Sequence, residues 1–187
     1  MQQTKPGSWE AIRLEGFNSI GLFFLVSISL KAFKPPGLQA FIKEERFMEI
    51  QDYNMPGKLY YEENHYWVRV EGDNLVMGMD DFAQQMAGEI VYVQLPFEGK
   101  KLKKGKKFAQ VESGKWLGKV FAPVNGELIE SNKELESNTA LINEDCYGAG
   151  WMFVIKPADM AEIDELIHGP EAVENWVLAD IEKYKKD

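Results

Sequence analysis

Apolar and polar positions are arranged in two different ways along this chain, and the change falls near residue 57. Upstream, one uncharged apolar run, "SIGLFFLVSISL" (residues 19–30), stands alone between charged stretches. Downstream, short apolar runs alternate with glycine, proline and charged clusters, the mark of short strands joined by tight turns. Residues 66–71 and 74–79 read as two strands closed by the turn "EGDN". "DDFAQQMAG" reads as a short helix that Asp80 caps and Gly88 ends. From Gly88 the pattern nearly repeats: a β-rich run, a proline, a charged turn and a short strand, then the same order from Gly118. That spacing predicts a small all-β sandwich or closed barrel, with two similar halves joined at a tight, exposed corner. The tail predicts two helices. The first starts at Asp159, with Glu162 three residues on, and stops at Gly169. The second enters at Pro170 and puts Val173, Trp176, Val177, Ile181 and Tyr184 on one face, expected to pack on the β body.

Charge and composition narrow the function classes. The formal net charge is −9, against the basic stripe that nucleic-acid binding needs, and suited to docking on basic partner surfaces. A single cysteine, Cys146, excludes an internal disulfide framework and reads as a packing residue. The two histidines and the cysteine have no metal-ligand spacing. His65 is expected to pack or hydrogen-bond at a strand start, or to join a cleft; His168 is expected to favour a helix C-terminus. The basic stretch "KKLKKGKK" (residues 100–107) reads as a solvated turn or a dock for an acidic partner.

The organisation expected is an N-terminal extension over 1–57, a β domain over 58–168 and a C-terminal helix over 169–187. Residues 19–30 fall short of the ~20 apolar residues of a membrane helix, so no membrane contact is expected of them, and the chain reads as cytoplasmic. Three readings of the extension stand side by side. It is a poorly conforming extension or a start assigned too early, with Met48 or Met55 as the first residue; a membrane-surface or partner-binding segment; or an export or anchor signal.

Candidate chemistry centres on "VESGKW", where Lys115 occupies the corner between the two halves. A catalytic lysine needs burial or a cationic neighbour to lower its pKa, and a glycine-flanked tip supplies little of either. Two readings remain: a solvated turn lysine, or a lysine offered to a modifying enzyme. For the second, Gly114 removes bulk beside the amine, and Glu112 and Ser113 give the modifying enzyme something polar to read. No nucleophile–base pair is visible, so the chain reads as a non-catalytic component.

Over about residues 59–167 the chain resembles the H-protein of the glycine cleavage system. The stretches that carry this are "HYWVRVEGD", "GMDDFAQQMAGEIVYVQLP", "VESGK", "APVNGELIESNKEL" and "LINEDCYGAGWMFVIKP". The resemblance implies a mainly β, barrel-sandwich hybrid fold with a short internal helix and C-terminal helices. It implies lipoate bound covalently to Lys115, with Glu112 as the acid three residues before it and Gly126 closing the facing turn. Biotinyl carriers place methionine on both sides of the lysine, where Gly114 and Trp116 stand here. The implied partners are a lipoate ligase or lipoyl-transfer and lipoyl synthase enzymes, then glycine decarboxylase, aminomethyltransferase and dihydrolipoyl dehydrogenase.

Three positions depart from the family's polar shelter for an aminomethyl arm. Tyr66 stands for the acid of the "H-E-W" motif, Met86 for a histidine of the plant form, and Lys119 for an acid four residues after the lysine. An ammonium near Lys119 would be repelled, and Trp116 offers an apolar platform. His65, Tyr66, Met86 and Lys119 are therefore expected to line a cleft for an arm with neutral or anionic cargo. The "ESGKW" run is also similar to the lipoate-binding proteins of heterodisulfide-reductase-like sulfur oxidation, which implies analogous sulfur-oxidation partners. An unmodified adaptor is the remaining alternative.

Overall fold

The computed structural model describes residues 47–185. The expectations for residues 19–30 and the rest of 1–46 lie outside that range. Among the described residues, three sheets form, all with antiparallel pairing between neighbours. The largest takes the order β12 (Ile167–His168), β3 (Tyr60–Glu62), β4 (Tyr66–Glu71), β5 (Asn74–Met79), β11 (Phe153–Pro157), β10 (Gly126–Ser131) and β7 (Lys101–Leu102). A second is β6 (Ile90–Val93), β8 (Lys107–Ser113) and β9 (Leu117–Phe121). The third is the hairpin β1 (Phe47–Ile50) and β2 (Tyr53–Pro56).

The β4–β5 hairpin organises the interior. Its turn holds Gly72 at φ +60, a left-handed conformation that a side chain would strain. Side chains then alternate between the two faces of the sheet. Tyr66, Val68, Leu75, Met77 and Met79 enter one core with Val111, Val120, Leu128 and Phe153. Trp67 and Val76 enter a second core on the other face, with Tyr61, Phe82 and the C-terminal helix. Gly78 is required by this packing, because a Cβ there would stand 2.8 Å from the Trp67 ring. The Trp67 ring nitrogen donates to the Cys146 carbonyl at 2.9 Å, so the indole is satisfied as well as buried.

The helix α1 (Asp81–Ala87) forms as its caps dictate: the Asp80 carboxylate accepts from the Ala83 amide at 2.8 Å, and Gly88 ends it at φ +76. A one-turn helix α2 (Leu141–Glu144) has no counterpart in the sequence reading. The last helix, α3 (Pro170–Tyr184), begins at Pro170 as expected and buries Val173, Val177 and Ile181 in the second core. Trp176 is half-buried there and Tyr184 is exposed.

Two expectations need correction. The segment predicted as the first tail helix is a 3-10 turn over Met160–Glu165, after which Ile167 and His168 pair with Tyr61 and Tyr60. The open edge of β3 captures the segment that would have continued the helix. His168 therefore stacks on Tyr60 at 4.1 Å between ring centroids instead of closing a helix. Nor do the first 57 residues all stand apart from the folded body. Ile50 and Met55 are buried in the second core beside Val173 and Val177. Met55, one of the suggested first residues, is a fully covered core side chain in a strand already paired with β1.

Candidate functional site

Lys115 lies at the tip of the β8–β9 hairpin, exposed. The Ser113 amide donates to the Trp116 carbonyl at 2.9 Å and closes the turn. Beyond that, the tip is loosely held: the Lys115 amide reaches the Ser113 hydroxyl at 3.4 Å. Gly114 has open space around its Cα, and its φ is not in the left-handed region. Neither backbone nor packing demands glycine here; its effect is to leave the amine's flank bare. The lysine stem folds toward Gly88 at the end of α1, where an added Cβ would lie 3.5 Å from Lys115 Cε. Trp116 turns its indole back over Gly118, so a side chain at 118 would collide with the ring.

Beside this tip, between the free edge of β9 and helices α1 and α3, lies a cleft of about 470 Å³. His65, Phe82, Met86, Trp116, Lys119 and Asp180 line it. Of the residues expected there, His65, Met86, Trp116 and Lys119 are brought together. Tyr66 is not among the lining residues. It points into the first core, 1% exposed, and its hydroxyl has no hydrogen-bond partner. Burial pushes its pKa up, with the carboxylates of Glu62 and Asp80 adding to the shift. Strand alternation explains the difference: His65 ends the preceding turn, and the next side chain faces inward.

Glu112 lies on the outer face of the three-stranded sheet, in register between Tyr92 and Leu117, and accepts from the Gln110 side-chain amide at 2.9 Å. Gly126 directly follows the bend over residues 123–125. It is the first residue of β10, pressed against the Lys156 carbonyl of β11, and it is not among the cleft-lining residues. Close strand approach is its reason for being glycine.

The polar side of the cleft is built on His65. Its φ of +66 places it in the left-handed region, as the turn from Glu62 requires. Nδ1 lies 3.0 Å from Asp80, Nε2 lies 3.0 Å from Asp180, and the ring stacks on Trp176 at 4.4 Å and meets Phe82 at 4.4 Å. Burial alone would lower the imidazole's pKa, but the two carboxylates outweigh it and hold His65 above its ordinary value. His65 therefore links the start of α1 to α3. Asp180 also pairs with Lys183 at 3.6 Å. The sequence reading missed this clasp. Asp80 was legible as a helix cap, but Asp180 is 115 residues from His65 and carries no local signal.

Further from the tip, Cys146 is buried, and burial first, then Asp81 and Asp80, push its thiol up to about 12. The basic stretch is a partly pinned turn: Lys100 donates to the Phe108 carbonyl at 2.8 Å and Lys104 pairs with Glu165 at 2.8 Å. Among the described residues no cluster of histidine, cysteine or acidic side chains could hold a metal, and no helix is long and apolar enough to cross a membrane.

Comparison with known proteins agrees in scale with this architecture. The family model described as glycine cleavage H-protein matches residues 59–178. A glycine cleavage system H protein of Halalkalibacterium halodurans is 42% identical over 118 residues, covering 63% of this chain and 92% of the relative. One from Bacteroides fragilis is 42% identical over 124 residues, covering 65% of this chain and 98% of the relative. The crystal structure of a glycine cleavage system H protein from Mycobacterium marinum matches with a TM-score of 0.53 and 29% identity, over 59% of this chain and 97% of that one.

Proposed function

Taking as premise that this chain belongs to the glycine cleavage H-protein family, we propose that it is a lipoyl carrier that bears its prosthetic group on Lys115 and works without catalytic groups of its own. The observation that supports this best is the pairing of an exposed, bare-flanked lysine with an adjoining cleft partly lined by apolar groups. An amide on Lys115 would extend the lysine stem by a flexible chain, and the exposed Met86 and Trp116 are suited to cover an apolar ring. When bound, lipoate supplies a reversible disulfide that can take a group from one partner and yield it to another. Glu112 and Ser113, beside the tip, are the residues for the attaching enzyme to read. The partners the family suggests are glycine decarboxylase, aminomethyltransferase and dihydrolipoyl dehydrogenase, which the family's glycine cleavage H proteins serve.

The cargo proposed is neutral or anionic. Asp180, the acid deepest among the cleft residues, is already shared between His65 and Lys183, while Lys119 is exposed on β9 with no ion-pair partner among the described residues. A cationic aminomethyl group would meet Lys119 unfavourably. A sulfur-oxidation carrier is the alternative this charge favours. The test has two stages. Intact-mass measurement on protein made in a lipoate-replete host should show one lipoyl group, absent from Lys115→Ala; an unmodified chain would move the reading to an adaptor. The lipoylated protein is then offered to glycine decarboxylase with labelled carbon dioxide. Slow exchange that Lys119→Asp improves supports the cargo reading. Exchange as fast as that of a relative with an acid at this position overturns it.

A further inference from the structure

The β1–β2 hairpin lies outside the family match, which begins at residue 59, yet it grips the helix that forms one wall of the cleft. The Asn54 amide donates to the Asp81 carboxylate at 2.7 Å, and the Gln85 side-chain amide donates to the Asp52 carbonyl at 3.3 Å. Tyr147 joins the two elements: its hydroxyl accepts from the Asp81 amide at 3.1 Å and donates to the Asn54 carbonyl at 2.7 Å. Tyr53 makes the contacts nearest the cleft. Its ring meets Phe82 edge-on with centroids 4.8 Å apart, and its hydroxyl points to the Met86 sulfur at 3.9 Å. Phe82 and Met86 both line the cleft, Phe82 as a second-core side chain only 2% exposed and Met86 as an exposed one.

Division of labour within the hairpin is visible in its burial. Ile50 and Met55 are core residues and answer for stability. Tyr53 is only half-buried: it packs on the rim of the second core and touches Phe82 and Met86, both of which line the cleft. Helix α1 has seven residues, too few to hold its own orientation, so its placement depends on what it leans against. Met86 is an unbranched, flexible side chain, 39% exposed, that would swing freely without a contact on its outer side.

We propose that the hairpin is a positioning brace for the arm's shelter: Tyr53, by holding Phe82 and Met86, sets how closely the cleft covers the tethered group. The proposal rests on Lys115 carrying the arm, and the test separates the two. Full-length lipoylated protein is reduced and exposed to a maleimide, and two sites are followed by mass: the arm's thiols and Cys146, whose burial makes it a reporter of core opening. Tyr53→Ala should raise arm alkylation about fivefold, the effect of losing one edge-on aromatic contact, with Cys146 alkylation unchanged. Tyr53→Phe, which keeps the ring, should stay within about twofold of the parent. No change at the arm, or equal acceleration at both sites, would overturn the brace. If intact mass shows no lipoyl group, the carrier reading falls by itself. The brace is then judged on amide exchange over Asp81–Ala87. Faster exchange in Tyr53→Ala supports it, and unchanged exchange sinks it.

Discussion

The two sides of the cleft are built on opposite plans. On the hairpin side, Lys115 is held at its main chain by one 3.4 Å contact to Ser113, with open space beside it at Gly114. On the helix side, His65 has a carboxylate 3.0 Å from each ring nitrogen and an aromatic ring on either face. A loosely held tip costs little ordering to move and lets other proteins reach the amine. A fully partnered histidine fixes the distance between two helices, because loosening any one contact leaves a buried polar group short of a partner. The contrast teaches that mobility and shelter are assigned to different residues, so each can be disturbed without the other.

That separation can be broken in order of expected effect. Lys115→Ala should abolish the lipoyl mass increment completely while leaving the denaturation midpoint unchanged within error. A large fall in stability would mean the tip is not independent of the body. Asp80→Ala removes a fully buried carboxylate that serves both His65 and the α1 cap, and should cost about 3–5 kcal/mol in urea unfolding. Asp180 is less buried, so Asp180→Asn should cost less, about 1–2 kcal/mol by the same measurement.

A pH series sharpens the comparison further. His65 is held above its ordinary pKa in the folded protein, so its stabilisation is complete below about pH 6.5, the unfolded value. It is lost as pH rises through the raised folded value. Urea midpoints should therefore fall across that interval, and His65→Gln should flatten the slope there. A slope unchanged in His65→Gln would show that the clasp does not titrate as described. The smallest effect is expected at Trp116. Trp116→Ala should alter stability by less than about 0.5 kcal/mol, being exposed, but should speed alkylation of the reduced arm.

The tip side was legible in the sequence because its determinants are local. Lys115 between Gly114 and Trp116, the strands before and after it, and the Asp80–Gly88 helix all follow from neighbours within a few residues. The helix side was not legible in the same way. His65, Asp80 and Asp180 meet only because two β-strands and a C-terminal helix converge, and no periodicity encodes a contact across 115 residues. The misplacement of Tyr66 has a related cause. Whether a strand residue faces the core or a cleft turns on one step of register, and the tight turn at His65 sets that step. Residues 167–168 escaped for a third reason: their helix signals were sound, but an unpaired strand edge competed for the same backbone.

Cys146, the chain's one sulfhydryl, is covered and kept protonated far above physiological pH. Exchange between a thiol and a disulfide needs a thiolate with access to sulfur. A disulfide tethered at Lys115 would therefore find no thiolate in this chain with which to exchange. Its reduction and reoxidation would come from outside the chain, and the scaffold would act as an insulator around the one live contact it presents.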